Sequence, residues 1–162
     1  MFFFLATSDY TTLRPTATKV RVYLTNGIAE IFEQHQTLLG KIDRDRLDVE
    51  TIVDNKIETT TFLLQNAIFV VSNKELTSKK TGTYIYVYAQ RVKEITSSLN
   101  IEELIKQNQL KKDEFEKEKE KVSKETDQTK STSNSTKLMM ITEEIAFLER
   151  VISFTKEWKT KK

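Results

Sequence analysis

The hydrophobic period of this chain changes near Lys93, and that change limits the folds open to it more than any other feature. Before Lys93, segments such as Lys19-Val20-Arg21-Val22-Tyr23-Leu24 and Thr83-Tyr84-Ile85-Tyr86-Val87-Tyr88 alternate, placing every second side chain on one face of a strand. After it, Leu138, Ile141, Ile145, Leu148 and Ile152 recur at steps of three and four, a spacing that lines up only on a helix. The expected fold class is α+β: an N-terminal β-sandwich over residues 1–93, then a C-terminal antiparallel two-helix hairpin over 94–162.

Turn signals divide the first part. Met1 to Ala6 reads as a first strand, and Asn26-Gly27 separates the strand ending at Thr25 from Ile28 to Phe32. Asn-Gly favours the positive φ angles of a tight hairpin turn. Asp54-Asn55 does similar work between Arg46 to Val53 and Ile57 to Leu64. Gln65-Asn66 reads as a further turn before Ala67 to Val71, and Asn73 to Gly82 as a polar loop before the last strand. About eight short strands closing on one core describe a sandwich or small barrel.

In the second part, Asn100 is placed to cap a helix whose first turn holds Glu102 and Glu103, where the dipole favours negative charge. Beyond Leu110 the run Lys-Lys-Asp-Glu-Phe-Glu-Lys-Glu-Lys-Glu-Lys sets opposite charges three and four apart, with Phe115 and Val122 as its apolar contacts. Such pairs support a solvated helix by a few tenths of a kcal/mol each. The Ser/Thr/Lys/Asn-rich stretch 123–136 reads as a flexible connector. A second helix follows from about Ser135 to Lys159, with Ile141, Ile145, Leu148 and Ile152 as its packing stripe.

Composition removes several functions. There are no cysteines and one histidine, His35, so thiolate zinc sites and cysteine nucleophiles are excluded and a metal site would depend on one imidazole. Asp43, Asp45 and Asp48 lack the Gly and distal Glu of a calcium loop. No Gly-rich stretch leads into a Lys-Ser/Thr pair, as phosphate binding requires. The net charge is +2 and Lys and Glu are interleaved, which argues against nucleic acid. Tyr84, Tyr86 and Tyr88 share a strand face without adjoining base, so cross-strand packing is the better reading than a base-stacking platform. Met1 to Ala6 is too short for a signal core, and no stretch reaches the roughly 20 apolar residues that span a bilayer. The expectation is a cytoplasmic protein with no catalytic residues, no metal and no cofactor.

Two stretches carry a family pattern. One is Gly27-Ile28-Ala29-Glu30-Ile31-Phe32-Glu33-Gln34-His35-Gln36-Thr37-Leu38-Leu39; the other is Ala146-Phe147-Leu148-Glu149-Arg150-Val151-Ile152-Ser153-Phe154-Thr155-Lys156. With a strand module ahead of two helices, they resemble the epsilon subunit of F-type rotary ATP synthases. That family carries a Gly-Glu-Ile-Gly-Ile-like strand, then Pro-Gly-His-Ala-Pro-Leu-Leu. His35, Leu38 and Leu39 agree, while Glu33-Gln34 replaces Pro-Gly and Thr37 replaces Pro. The second stretch looks like the family's last helix.

The resemblance implies a non-catalytic rotor subunit, peripheral to a membrane through its complex and not inserted in it. Its sandwich would bind a gamma-like shaft and a membrane rotor ring, and its hairpin would restrain hydrolysis. Carried over by position, Glu30, His35, Leu38 and Leu39 would face the shaft. Arg150 and Lys156 would face catalytic alpha/beta-like subunits. Some family members bind ATP through Ile-Asp-x-x-Arg-Ala at the start of helix one. Here the stretch is Ile101-Glu102-Glu103-Leu104-Ile105-Lys106, and Ile105 in the Arg position removes the planar fork that would engage nucleotide. Two alternatives stay open: a protein-interaction adaptor, and a specialised F-type-like motor used for mechanical work such as gliding motility.

Overall fold

The computed structural model describes residues 1–24, 26–42, 46–77, 80–96, 99–129 and 132–160, with the backbone alone at 75–77, 80–81, 125–129, 132 and 159–160. The chain forms two compact units, Met1–Ser98 and Leu99–Lys162. The first holds β1 (Phe2–Ala6), β2 (Thr11–Arg14), β3 (Ala17–Leu24), β4 (Gly27–Ile31), β5 (Leu38–Ile42), β6 (Arg46–Val53), β7 (Lys56–Thr77) and β8 (Lys80–Ile95). The second holds α1 (Ile101–Thr129) and α2 (Thr132–Thr160).

The strands form one mixed sheet of order β2-β1-β8-β7-β6-β3-β4, with β5 also on β7. Every pairing is antiparallel except β1 with β8. β7 is the spine. β8 follows it on one edge, and β6 and β5 share the other in a single register: Arg46 opposes Leu63, and Ile42 opposes Ala67. Asp43, Arg44 and Asp45, two of them from the rejected calcium loop, lie between these strands and outside the described residues.

Gln65-Asn66, read from sequence as a turn, is instead a bend inside β7. Gln65 pairs with Arg91 and Ala67 with Ala89, so the register passes through unbroken. Asn66 takes φ 50°, a left-handed conformation that Asn tolerates better than most residues. Its amide donates to Gln90 Oε1 at 2.6 Å, which holds the bend without leaving the ladder. At this bend the sheet folds over. The strands β2, β1, the first half of β8, the second half of β7 and β5 form one layer; the other halves of β7 and β8 with β6, β3 and β4 form the second.

Alternation closes the core between the layers. Phe3, Leu5, Ile85, Val87, Phe69, Val71 and Ile42 come from the first layer, and Val20, Val22, Ile31, Leu47, Val49, Phe62 and Leu64 from the second; all are buried in one cluster. The Phe3 and Phe62 rings meet across it with centroids 5.8 Å apart. Gly40 lies under the Phe69 ring, where a Cβ would come within 2.2 Å of Cε1. Any side chain at that point of β5 would have to displace the Phe69 ring.

The turns are made as their residues dictate, with shifts in place. Asp54 and Asn55 both take positive φ, 49° and 60°, between the paired Val53 and Lys56. Leu24 pairs with Gly27, so of the turn expected at Asn26-Gly27 only Asn26 is a turn residue and Gly27 already belongs to β4; Thr25 lies outside the described residues. The expected loop Asn73–Gly82 is instead the continuation of β7 and β8, paired through Asn73–Thr83 and Lys74–Gly82 to Thr77–Lys80. Polar composition disfavours burial, but backbone pairing does not need burial. Ser78 and Lys79 in that stretch lie outside the described residues. The short β2 escapes the alternation pattern; Tyr10 and Arg14 tie it to Glu94, through the Tyr10 hydroxyl and an Arg14–Glu94 pair at 3.0 Å. Burial first, then the Glu94 carboxylate, push the Tyr10 phenol up to about 12.

The second unit is a hairpin of two 29-residue helices, each about 43 Å long at 1.5 Å per residue. Asn100 caps α1: Glu103 N–H donates to its Oδ1 at 3.3 Å, and Leu104 N–H to its carbonyl at 3.0 Å. The stripe of α2 continues the three-four spacing from Leu138 through Thr155, and Ile141, Ile145, Leu148, Ile152 and Thr155 are buried. Ile141 and Ile145 pack with Val122 of α1, joined by Phe115 and Leu138. Lys112 pairs with Glu149 at 2.9 Å and Lys137 with Glu118 at 2.8 Å, joining the helices on their polar side.

The connector expected at 123–136 is helical wherever it is described, since α1 runs to Thr129 and α2 starts at Thr132. Val122 and Leu138 pack into one cluster on either side of this stretch, so packing of the helices that flank it offsets the weak helix propensity of its Ser, Thr and Asn. Lys130 and Ser131 lie outside the described residues, as do Lys161 and Lys162.

Candidate functional site

The loop from Phe32 to Thr37 is tied to the β7–β8 hairpin by a chain of polar contacts. Gln34, at φ 66°, donates its N–H to Thr83 Oγ1 at 2.7 Å, and Thr83 Oγ1 donates to Asn73 Oδ1 at 2.9 Å. Asn73 Nδ2 donates to the His35 carbonyl at 2.8 Å. Glu33 accepts the Thr83 N–H at 2.8 Å and pairs with the Met1 ammonium at 2.7 Å. Burial acts to raise the Glu33 carboxyl, but the ammonium and the Thr83 N–H outweigh it and hold it below the ordinary value of 4.5. His35 Nδ1 lies 2.8 Å from the Gln36 carbonyl; the carbonyl can only accept, so this nitrogen carries the proton. The imidazole is thus held by its own loop.

The expected shaft residues divide between surfaces. Leu38 turns inward and packs against the core, while its neighbour Leu39 is 70% exposed on the outward face of β5. Glu30 is on β4 in the other layer, paired with Arg21 at 2.5 Å. Since the inner faces of the layers meet, Leu39 and Glu30 look outward in opposite directions, and His35 sits in the loop that joins their strands.

Around Leu39 the first layer presents an open apolar face. The parallel register sets Phe2 beside Tyr84 and Phe4 beside Tyr86. Phe2 and Tyr84 stack with centroids 4.8 Å apart, Tyr84 stacks on Tyr86 at 6.3 Å, and Phe4 meets Tyr86 and Tyr88 edge-on at 6.2 Å. Leu13 on β2, Ile68 on β7 and Tyr88 on β8 share this face and are 57%, 51% and 53% exposed. Five strands at about 4.8 Å and four residues at about 3.3 Å give a face of roughly 19 by 13 Å. That is roughly 250 Å², the size of apolar patch that monomers ordinarily expose, so the order of its rings and its charge distinguish it more than its area. Lys74 stands over it, 5.0 Å from the Tyr84 and Tyr86 ring centres, and donates to the Tyr86 hydroxyl at 2.8 Å. That bond raises the lysine above its ordinary value, so it stays charged at neutral pH.

The opposite layer differs in kind. Its outward face over β3, β4 and β6 carries Arg21–Glu30, Lys19–Glu50 and Arg46–Asp48 pairs. Asp48, the third member of the rejected calcium loop, accepts from Tyr23 at 2.9 Å and Thr61 at 2.8 Å, so its oxygens serve the sheet.

On the hairpin, Arg150 is half-buried and Lys156 exposed. Six residues place them about 120° apart around α2, so they do not form one row. Among the described residues no group of three His, Cys, Asp or Glu could hold a metal ion, and no helix is long and apolar enough to cross a membrane.

No protein-family model and no curated protein matches the chain. Among solved structures, it is similar to a chain of the Euglena gracilis mitochondrial ATP synthase OSCP/F1/c-ring assembly in rotational state 1. The TM-score is 0.49 at 12% identity, over 93% of this chain and 78% of that one. It is also similar to a chain of the Tetrahymena thermophila mitochondrial ATP synthase central stalk/c-ring, with a TM-score of 0.44 at 11% identity over 64% of this chain and 69% of that one.

Sequence reasoning found the tyrosines and Leu39 but not the surface they share. The available signal was Phe2-Phe3-Phe4-Leu5, an unbroken apolar run where a half-exposed strand should alternate. Such a run marks a strand with apolar demands on both faces.

Proposed function

We propose that this chain is a non-catalytic central-stalk subunit of an F-type or F-type-like rotary ATPase. It binds a gamma-like shaft through the sandwich and restrains ATP hydrolysis through the hairpin. The observation that carries this reading is the order and form of the parts: a two-layered sandwich followed by an antiparallel hairpin, the architecture that the Gly27–Leu39 and Ala146–Lys156 resemblance implies. Leu39 lies on an open apolar face suited to a permanent protein partner, and Leu38 supports it from the core. Glu30 faces away from it on the far layer, where it offers a second contact surface, and His35 lies in the loop between the two, with the membrane ring as the further neighbour. Arg150 and Lys156 on α2 supply cationic contacts to alpha/beta-like subunits, each modest because exposed pairs are screened. In this role the subunit works at the cytoplasmic side of a membrane, as part of the complex.

The test is purification of the tagged full chain from its own cells. Recovery of a gamma-like protein together with alpha/beta-like ATPase subunits is the expected result, and their absence overturns the reading. Within that complex, deleting Ser135–Lys162 raises ATPase activity if the hairpin restrains it; unchanged activity assigns the hairpin a structural role alone. The adaptor reading is favoured by one observation, that the aromatic face would suit a protein partner of any complex.

A further inference from the structure

We infer that the aromatic face of the first layer docks an acidic protein surface, an apolar ridge flanked by carboxylates, with Lys74 as the charge contact. This deepens the proposed function and rests on its reading of the chain as a docking subunit.

The face is rigid before binding. Its rings are already stacked across β1 and β8, and aromatic side chains give large contact area for little entropy. Its charge has one sign. Lys41 and Lys74 lie on the outward side of β5 and β7, and among the described residues of the five strands no carboxylate shares that side. The Lys74 ammonium has three donors, of which the Tyr86 hydroxyl takes one, and it lies over the Tyr84 and Tyr86 rings. A partner that covers these rings without a carboxylate would strand a charge in a desolvated contact.

The same charge pattern weighs against the other occupants. A second copy docked face to face would set lysines against lysines, and like-charge juxtaposition is costly. Anionic membranes are recognised by clusters of about 4–8 Lys or Arg, and among the described residues this face offers two.

The experiment places the photo-cross-linker p-benzoyl-phenylalanine at Tyr88, and separately at Ile28 on the opposite layer, in the full chain in its own cells. Tyr88 is expected to link to a peptide with more Asp and Glu than Lys and Arg, and Ile28 is not. Lys74→Glu should lower the Tyr88 cross-link about tenfold through like-charge repulsion. Changing the nearest carboxylate of the linked peptide to lysine should restore it. A basic or neutral linked peptide, a link to a second copy of this chain, a lipid adduct, or failure of the charge swap each overturns the inference. If the acidic partner is not an ATPase subunit, the proposed function fails and this inference stands. If a gamma-like subunit is linked through a basic segment, the reverse holds.

Discussion

Gly40→Ala tests the packing that closes the sandwich. The added Cβ would lie 2.2 Å from Phe69 Cε1 and 2.5 Å from Cζ, where carbon atoms normally keep about 3.5 Å. One of the two must move by roughly 1 Å, in a region close-packed enough to transmit the strain. Phe69 is 1% exposed within the main core, so its ring cannot swing out to water. Overpacking of this kind costs about 1–3 kcal/mol, and the depth of the overlap places this substitution near 3 kcal/mol. For a unit of this size that lowers the midpoint by very roughly 15 °C.

The chain carries its own probes for the assay. All five tyrosines lie between Tyr10 and Tyr88, and the one tryptophan is Trp158 on α2. Tyrosine near-ultraviolet circular dichroism therefore follows the sandwich while tryptophan fluorescence follows the hairpin. The tyrosine transition should shift and the native tyrosine spectrum should persist. Phe69→Leu alone should cost about 1–2 kcal/mol as a cavity. Combined with Gly40→Ala it should cost at least about 1 kcal/mol less than the sum, because the smaller side chain makes room for the methyl. A shift below about 0.5 kcal/mol for Gly40→Ala, or additivity in the double variant, would refute the argument.

Two further outcomes follow from polar groups. The folded Glu33 carboxyl is held below its ordinary value, so its stabilisation is complete above the unfolded value and is lost as pH falls through the folded one. Thermal midpoints of the wild type should therefore fall faster below pH 4.5 than those of Glu33→Gln, the two curves converging with acid; parallel curves would remove Glu33 from the account. Asn108 is buried on α1 and donates Nδ2 to the Leu104 carbonyl at 2.7 Å, within its own helix. The Leu104 carbonyl keeps its place in the helical ladder without the amide, and leucine buries more apolar area, so Asn108→Leu should raise the stability followed by Trp158 by up to about 1 kcal/mol; a fall would refute this account of Asn108.

Much of the architecture is legible without coordinates, and the reasons can be traced to particular residues. The β6 boundaries, Arg46 and Val53, are as the alternation gives them, because one of its faces is buried and the other faces outward. Asp54-Asn55 turns the chain because both residues accept positive φ. Gln65-Asn66 misleads because the same tolerance serves a bend as well as a turn, and only the unbroken β8 register alongside distinguishes them. The Ser/Thr-rich tract misleads because propensity is weak beside the packing of Val122 with Ile141 and Ile145. The open aromatic face is hidden for a different reason: its members come from five strands spread from Phe2 to Tyr88, and no local pattern records which of them become neighbours.

By itself, then, the sequence determines where strand gives way to helix near Lys93, which side chains share a face within the strands it marks, and that no thiolate is available, since these depend on residue type and spacing along the chain. The tertiary structure decides that the sheet folds at Asn66 and that Leu39 and Glu30 point away from each other. It also decides that Phe2, Tyr84, Tyr86 and Lys74 form one surface. Those outcomes depend on register between strands distant in sequence, where a shift of one residue would exchange the buried face for the exposed one.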